Sequence, residues 1–330
     1  MIKIIFTLVL IVSMPAVALA AMQPMTDEEL GVQTGQAFIQ IDRNTSDPNY
    51  DFSRFTFGLD VDVSMNADLV QLGRYDDPDE PANSSDIQIS DFSLGYIDES
   101  GNVIPFQIKD PFIELAFDKS GSAQNLVGIR LGFGGAAGKL SGNIEYLNGN
   151  LEVRVEGSAR PIRDANFLAW LTMRNSDILG ADAVLVAGPG EANTGEPISS
   201  LARRRANWVG IDNDTTMECL SSGCSLGASL ATILTPGGCS LLGITTCFPL
   251  KNFKTNDIGN QNALDPSSSN YAGGLYMSFQ SQRVVWPESG VTAEVGAFMN
   301  IPDGGITLDF EQSFNGIERI RTKFLDPYYD

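Results

Sequence analysis

Phe55-Thr-Phe-Gly-Leu-Asp-Val-Asp-Val-Ser-Met-Asn-Ala-Asp-Leu69 places an apolar residue on every second position, with Thr56, Gly58, Asp60, Asp62, Ser64, Asn66 and Asp68 between them. Successive side chains of a strand point to opposite faces, so the run reads as extended chain with one apolar and one acidic face. A helix would scatter the two sets. Fully extended, the run would reach roughly 50 Å, well beyond a typical strand. It is therefore one very long strand, or two strands sharing a face across a bend at Gly58 or Ser64.

The same two-residue period recurs on either side. Ile104, Phe106 and Ile108 alternate, as do Ile113, Leu115 and Phe117, then Val127, Ile129, Leu131 and Phe133, and finally Leu151, Val153 and Val155. Glu99-Ser-Gly-Asn102 and Leu147-Asn-Gly-Asn150 punctuate these runs, and Asn148-Gly149 is the dipeptide that favours a two-residue hairpin. Between Asp86 and Asp98 the apolar phase slips from Ile87 and Ile89 to Phe92, Leu94 and Tyr96. A slip of one residue exposes the wrong face unless a bulge absorbs it, which places a bulge near Asp91. Residues 37–160 are thus expected to form a β domain.

Upstream, Met1-Ile-Lys, the apolar run Ile4 to Val12 and the small-residue site Ala18-Leu-Ala20 describe a cleavable secretory signal over residues 1–20. Thr26 followed by Glu29 forms a capping box, so 21–36 is expected to be a short lead-in helix entering a strand at Ala37 to Ile41. Downstream, 161–272 loses the period and is punctuated by Pro, Gly, Ser and Asn, around apolar patches at Phe167–Met173 and Ala181–Ala187. It reads as an irregular insertion or second lobe. Strand signals return over 273–330, which is expected to rejoin the first sheet.

Acidic residues outnumber basic ones 41 to 21, for a formal charge of −20, and losing Lys3 with the leader makes the remainder more acidic still. Such a chain repels nucleic-acid phosphates and anionic surfaces. Histidine is absent from the sequence, which removes the commonest general base and metal ligand. With no catalytic vocabulary to replace it, the expectation is a protein that is not an enzyme and uses no cofactor.

Cys219, Cys224, Cys239 and Cys247 fall within 29 residues. An even, clustered set in an exported chain implies disulfides, with three possible pairings. The local pairs Cys219–Cys224 and Cys239–Cys247 are favoured because short loops cost least to close, with the nested pairing close behind. Zinc is the alternative, but the spacing fits no finger. Two copies of Gly-Cys-Ser-Leu, at 223 and 238, hint at a doubled unit. Gly223-Cys-Ser225-Leu-Gly227 matches a serine-hydrolase elbow, but without a histidine base the match reads as chance. Gly132, Gly134, Gly135 and Gly138-Lys139 fail the phosphate-loop spacing and read as a glycine-rich strand crossover. Asp76, Asp77, Asp79, Glu80 and Asp86 make one acidic loop, and Asp212-Asn-Asp214 with Glu218 another. Both lack the twelve-residue calcium signature and read as solvated. Arg203 to Arg205, the one basic cluster, is expected either to stay solvated or to dock on the chain's own carboxylates or an acidic neighbour.

Several short stretches resemble the FilA-like pilus-system proteins, a group of secreted gammaproteobacterial proteins. They are Thr26-Asp-Glu-Glu-Leu followed by Thr34-Gly-Gln, Phe57-Gly-Leu-Asp-Val-Asp-Val63, Ile89-Ser-Asp-Phe-Ser-Leu94, Asp110-Pro-Phe-Ile-Glu-Leu-Ala-Phe117, Leu126-Val-Gly-Ile-Arg130 and Gly296-Ala-Phe-Met-Asn-Ile-Pro302. The resemblance implies a structural or assembly role and brings no catalytic set.

The fold expected is all-β, with long antiparallel strands in a sandwich or elongated roll carrying a disulfide-bearing insertion; a β-solenoid is the competitor. The expected function is an exported, non-enzymatic component of a pilus-like or surface-adhesion (fimbrial) system. Its partners would be other pilus-system or cell-envelope proteins, with no nucleic acid and no integral membrane span in the mature chain. It would reside in the periplasm, at the cell surface or in a fibre. A periplasmic carrier of a lipid or small ligand is one alternative. An outer-membrane barrel is another, disfavoured because Tyr and Trp form no girdles.

Overall fold

The computed structural model describes residues 39–121, 124–201, 204–241, 243–259 and 271–322. The expected signal at 1–20 and lead-in helix at 21–36 lie outside them, as does Arg203. Strand β1 (Ile39–Asn44) is an outer strand paired antiparallel with β2 (Tyr50–Phe57). The alternating run is divided among β2, β3 (Asp60–Val63) and β4 (Met65–Leu72), so the chain breaks at Gly58-Leu59 and again at Ser64.

The first break overturns the single shared face. Thr56 stands opposite Phe112 whereas Asp60 stands opposite Lys109, so three residues, Phe57 to Leu59, face two on the partner strand. An extra residue in one strand turns the following side chains over. Phe55 consequently shares a face with Ile113, while Val61 shares one with Ile108, and Val61 and Val63 pack on the main core. Past Ser64, Ala67, Val70 and Leu72 pack inward while Met65 and Leu69 are exposed.

Strand β4 pairs with β5 (Ile87–Leu94), and β5 carries the expected bulge. Asp91 adopts φ +51°, and between Ser90 and Ser93 the register against the neighbouring strand shifts by one. A second bulge, which skips Glu145 on that neighbour, restores it. The pair of bulges keeps Ile87, Ile89 and Phe92 all buried despite their changed spacing.

Strand β6 (Phe106–Asp118) leads to β7 (Asn125–Ser158), 34 residues long, around which the rest is laid. Its first third runs between β6 and β10 (Tyr276–Gln280). Its middle lies between β5 and β9 (Thr255–Ile258). Its last third is flanked by β8 (Ile178–Val186), antiparallel, and β11 (Gly296–Leu308), parallel. The expected hairpin at Asn148-Gly149 is therefore not formed; the dipeptide lies inside β7. Its residues serve a crossing instead. A Cβ on Gly149 would stand 2.2 Å from the Met299 carbonyl oxygen of β11, and Asn148 Nδ2 donates to the Ala297 carbonyl at 2.8 Å. The glycines at 132 and 138 likewise make room, for the rings of Phe112 and Phe106, inside continuous strand rather than at a crossover.

The chain is all-β, with antiparallel pairing predominating. Ile89, Leu140 and Ile258 of one layer line the same cavity as Val153, Ile301 and Ile306 of another, so two layers enclose the core as in a sandwich. Among the described residues no sheet closes into a barrel. Four short α-helices among the described residues decorate the strands: α1 (Arg160–Ala165), α2 (Phe167–Thr172), α3 (Leu226–Ala231) and α4 (Phe310–Asn315). Within 161–272, the patch Ala181–Ala187 belongs largely to β8, whose Ala181, Ala183 and Leu185 join the main core. The disulfides are Cys219–Cys224 and Cys239–Cys247. The two Gly-Cys-Ser-Leu copies are not a repeated unit, since one leads into α3 and the other into a two-strand hairpin at Ser240–Thr245.

Candidate interaction surface

The motifs singled out in the sequence are placed in structural roles. Ser225 of the elbow-like motif is the N-cap of α3; its Oγ accepts from Ala228 N–H and donates to buried Asp177. Burial opposes ionisation of Asp177, but the Ser225 hydroxyl and the backbone N–H groups of Arg174 and Ser225 outweigh it and hold the carboxyl below its ordinary value. Lys139 pairs with Asp257 across β7 and β9. In the second acidic segment Asp212 accepts from the N–H groups of Asp214 and Thr215, and Glu218 pairs with Arg154 at 2.9 Å.

Two features that sequence treats separately come together here. The acidic loop clasps the basic cluster: Arg204 pairs with Asp77, and Arg205, 1 % exposed, donates to Asp86 at 3.0 Å, to Ser84, and to the carbonyls of Gly73 and Tyr75. Glu80 accepts the backbone N–H groups of Arg204 and Arg205. Asp77, Glu80 and Asp86, expected to be solvated, are instead spent on arginine, while Asp76 and Asp79 of the same loop are exposed as expected. Among the described residues no group of three or more Asp, Glu, His or Cys side chains is arranged to hold a metal ion.

The surface that sequence reasoning misjudges lies on the wing formed by β1, β2, β6, the first third of β7 and β10. Periodicity marks Ile113, Leu115, Ile129 and Leu131 as interior; the structure leaves their face open. Cross-strand partners set the rows: Ile41, Phe55, Ile113, Leu131 and Met277 form one, and Leu115, Ile129 and Phe279 the next. Ile41 is 64 % exposed, Leu126 50 % and Leu131 40 %. At the outer edge all six residues of β1 are exposed.

The opposite face of the wing is closed and polar at its centre. Glu114 is buried there between Arg130 and Arg54, the latter donating Nε–H at 3.3 Å. The Arg130 guanidinium lies 5.0 to 5.2 Å from the ring centres of Phe112, Tyr276 and Trp286. Burial lowers the Arg130 pKa, against the pull of Glu114. Phe52, Trp286 and Phe298 pack around this centre. Glu114 and Arg130 sit between the apolar residues of their strands, and that alternation signals a two-faced strand without saying which face is dry.

The two apolar cavities of the core each measure about 20 Å³, room for roughly one water, where ligand pockets span roughly 300–1,000 Å³. No protein-family model, no curated protein and no solved structure matches this chain.

Proposed function

We propose that this chain is an exported, non-enzymatic assembly component of a pilus-like or adhesive envelope structure, and that it packs its open wing and outer strand against another protein chain of that assembly. The observation that carries the reading is the wing itself: apolar side chains in register across five strands, exposed or half-buried, beside β1, whose outer edge pairs with no strand among the described residues. Monomers rarely leave contiguous apolar patches of more than a few hundred Å² uncovered, and a free edge is a template for strand addition. The signal-like leader, the two disulfides and the FilA-like stretches point the same way. A lipid carrier would need an apolar chamber; the apolar core cavities are narrow, and the clefts of about 500 Å³ beside Asn148 and Phe298 and about 490 Å³ beside Tyr75 and Pro81 are lined by polar as well as apolar groups.

The test is a photo-crosslinking amino acid at Ile41 or Leu131, with cells fractionated and adducts read by mass spectrometry. High-mass adducts in the envelope or filament fraction are expected, and none from a control position at Asp214. Recovery purely as a soluble periplasmic monomer without adducts would sink the proposal.

A further inference from the structure

A second apolar surface, separate from the wing, is built by α2 and α3. The two helices pack so closely that a Cβ on Gly227 would stand 2.4 Å from Thr172 Oγ1 and 2.8 Å from Met173 Cγ. Small residues face inward: Ala169 of α2, and Gly227, Ala228 and Ala231 of α3, are buried. The large ones face out. Phe167 is 76 % exposed, Ile233 70 %, Leu226 69 % and Leu171 64 %, with Leu168 and Trp170 about half exposed. Such values exceed most of those on the flat wing and describe a protruding tip. The rings of Phe167 and Trp170 stack at 6.0 Å, and the Arg163 guanidinium lies 5.5 Å from the Trp170 ring.

Charge separates this tip from the rest of the molecule. Acidic residues make up 41 of 330, yet the 38 residues from Cys219 to Asn256 contain none. From Arg160 to Asp177 three arginines stand against two carboxylates, Asp164, which pairs with Arg160 and Arg163, and Asp177, which is buried against Ser225. The Arg160 side chain is 71 % exposed. A chain of charge −20 is repelled as a whole by an anionic bilayer, but at physiological salt the Debye length is about 8 Å, so carboxylates farther than that from the tip are screened. The tip is where such a surface can be approached.

We propose that α2 and α3 form a shallow insertion tip for the interface of an anionic lipid bilayer. Phe, Trp and Leu enter the headgroup–acyl boundary and the flanking arginines meet lipid phosphates, the composition of interfacial helices. No span is implied; among the described residues no helix is long and apolar enough to cross a membrane.

The experiment uses the full mature chain with vesicles of phosphatidylcholine and phosphatidylglycerol at 70:30. Co-sedimentation at physiological salt is expected, falling at least tenfold in the Leu171→Asp/Leu226→Asp variant. Lipids brominated on the acyl chain are expected to quench tryptophan emission of the unaltered protein, and to do so far less in Trp170→Phe. The quenching decides the matter even where the double variant fails to fold. Absence of vesicle binding, binding unchanged by the double variant, or quenching unchanged by Trp170→Phe overturns the proposal. So does self-association that those variants abolish while vesicles are ignored, since the tip then belongs to a second copy.

Discussion

Glu114 and Arg130 hold the wing from its closed side, and their arrangement sets opposite expectations for single and paired substitutions. Removing one member of a buried pair leaves the other charge unsolvated, at a cost of about 3–5 kcal/mol, whereas replacing both by apolar residues of like volume is often near neutral. Glu114→Ala is therefore expected to lower the denaturant midpoint steeply, and Glu114→Leu with Arg130→Met to recover most of the loss. Asp177 gives a pH-dependent counterpart. Its folded pKa is depressed, so its contribution is present above the unfolded carboxylate value near 4 and fades as pH falls through the lower folded value. Melting temperatures measured from pH 2 to 7 are expected to show Asp177→Asn less stable than the native chain at neutral pH, the difference closing in acid. Ser225→Ala removes the cap of α3 as well and is expected to cost about 1 kcal/mol.

At the scale of elements, much of the fold was legible. Alternation marked the strands, and the slip between Ile89 and Phe92 located the bulge at Asp91, because a buried face tolerates no uncorrected change of phase. The turn at Glu99 to Asn102 forms as expected between Tyr96–Ile97 and Val103–Ile104, with Asp98 accepting from Ser100 and Asn102. What could not be read was the role of long-range crossings. Asn148-Gly149 carries the local signature of a hairpin, and pairing with distant segments, Asp86, Arg205-Ala206 and β11 about 150 residues later, keeps it extended. Gly149→Ala is expected to force the contact with β11 apart and lower stability by about 1–3 kcal/mol in chemical denaturation, the range for overpacking. The faces were also invisible locally: strands carrying apolar residues on one side and Glu114 and Arg130 on the other bury the charges, because the Trp286 segment covers that side. Each disulfide closes a short loop, of 5 or 8 residues in separation, so replacing either pair by alanine is expected to cost about 2 kcal/mol by the chain-entropy relation.

Across the whole molecule, two apolar surfaces interrupt an acidic exterior, the wing beside β1 and the tip at α2 and α3. Substitutions on the wing separate assembly from folding. Ile41→Lys and Leu131→Asp alter exposed side chains, so melting of the isolated chain is expected to change by less than about 0.5 kcal/mol while crosslinked adducts disappear. The motifs that looked most chemical in the sequence, the elbow and the glycine loop, are helix cap and strand. The surfaces most suited to partners carried no motif, since an exposed apolar side chain is spelled like a buried one.

The 34-residue strand β7 has a further consequence for how the protein comes into being. Its neighbours are drawn from positions as early as Ile87 and as late as Leu308, so native pairing has high contact order and its slow step must await distant sequence. During synthesis or translocation one margin of β7 can pair at once with β5 and β6, which precede it, but stretches along its first and last thirds stay bare until Tyr276–Leu308 emerges, and a bare margin invites aggregation. A chain truncated before Gly296 is thus expected to leave that margin of β7 uncovered and to aggregate in light scattering where the full chain does not.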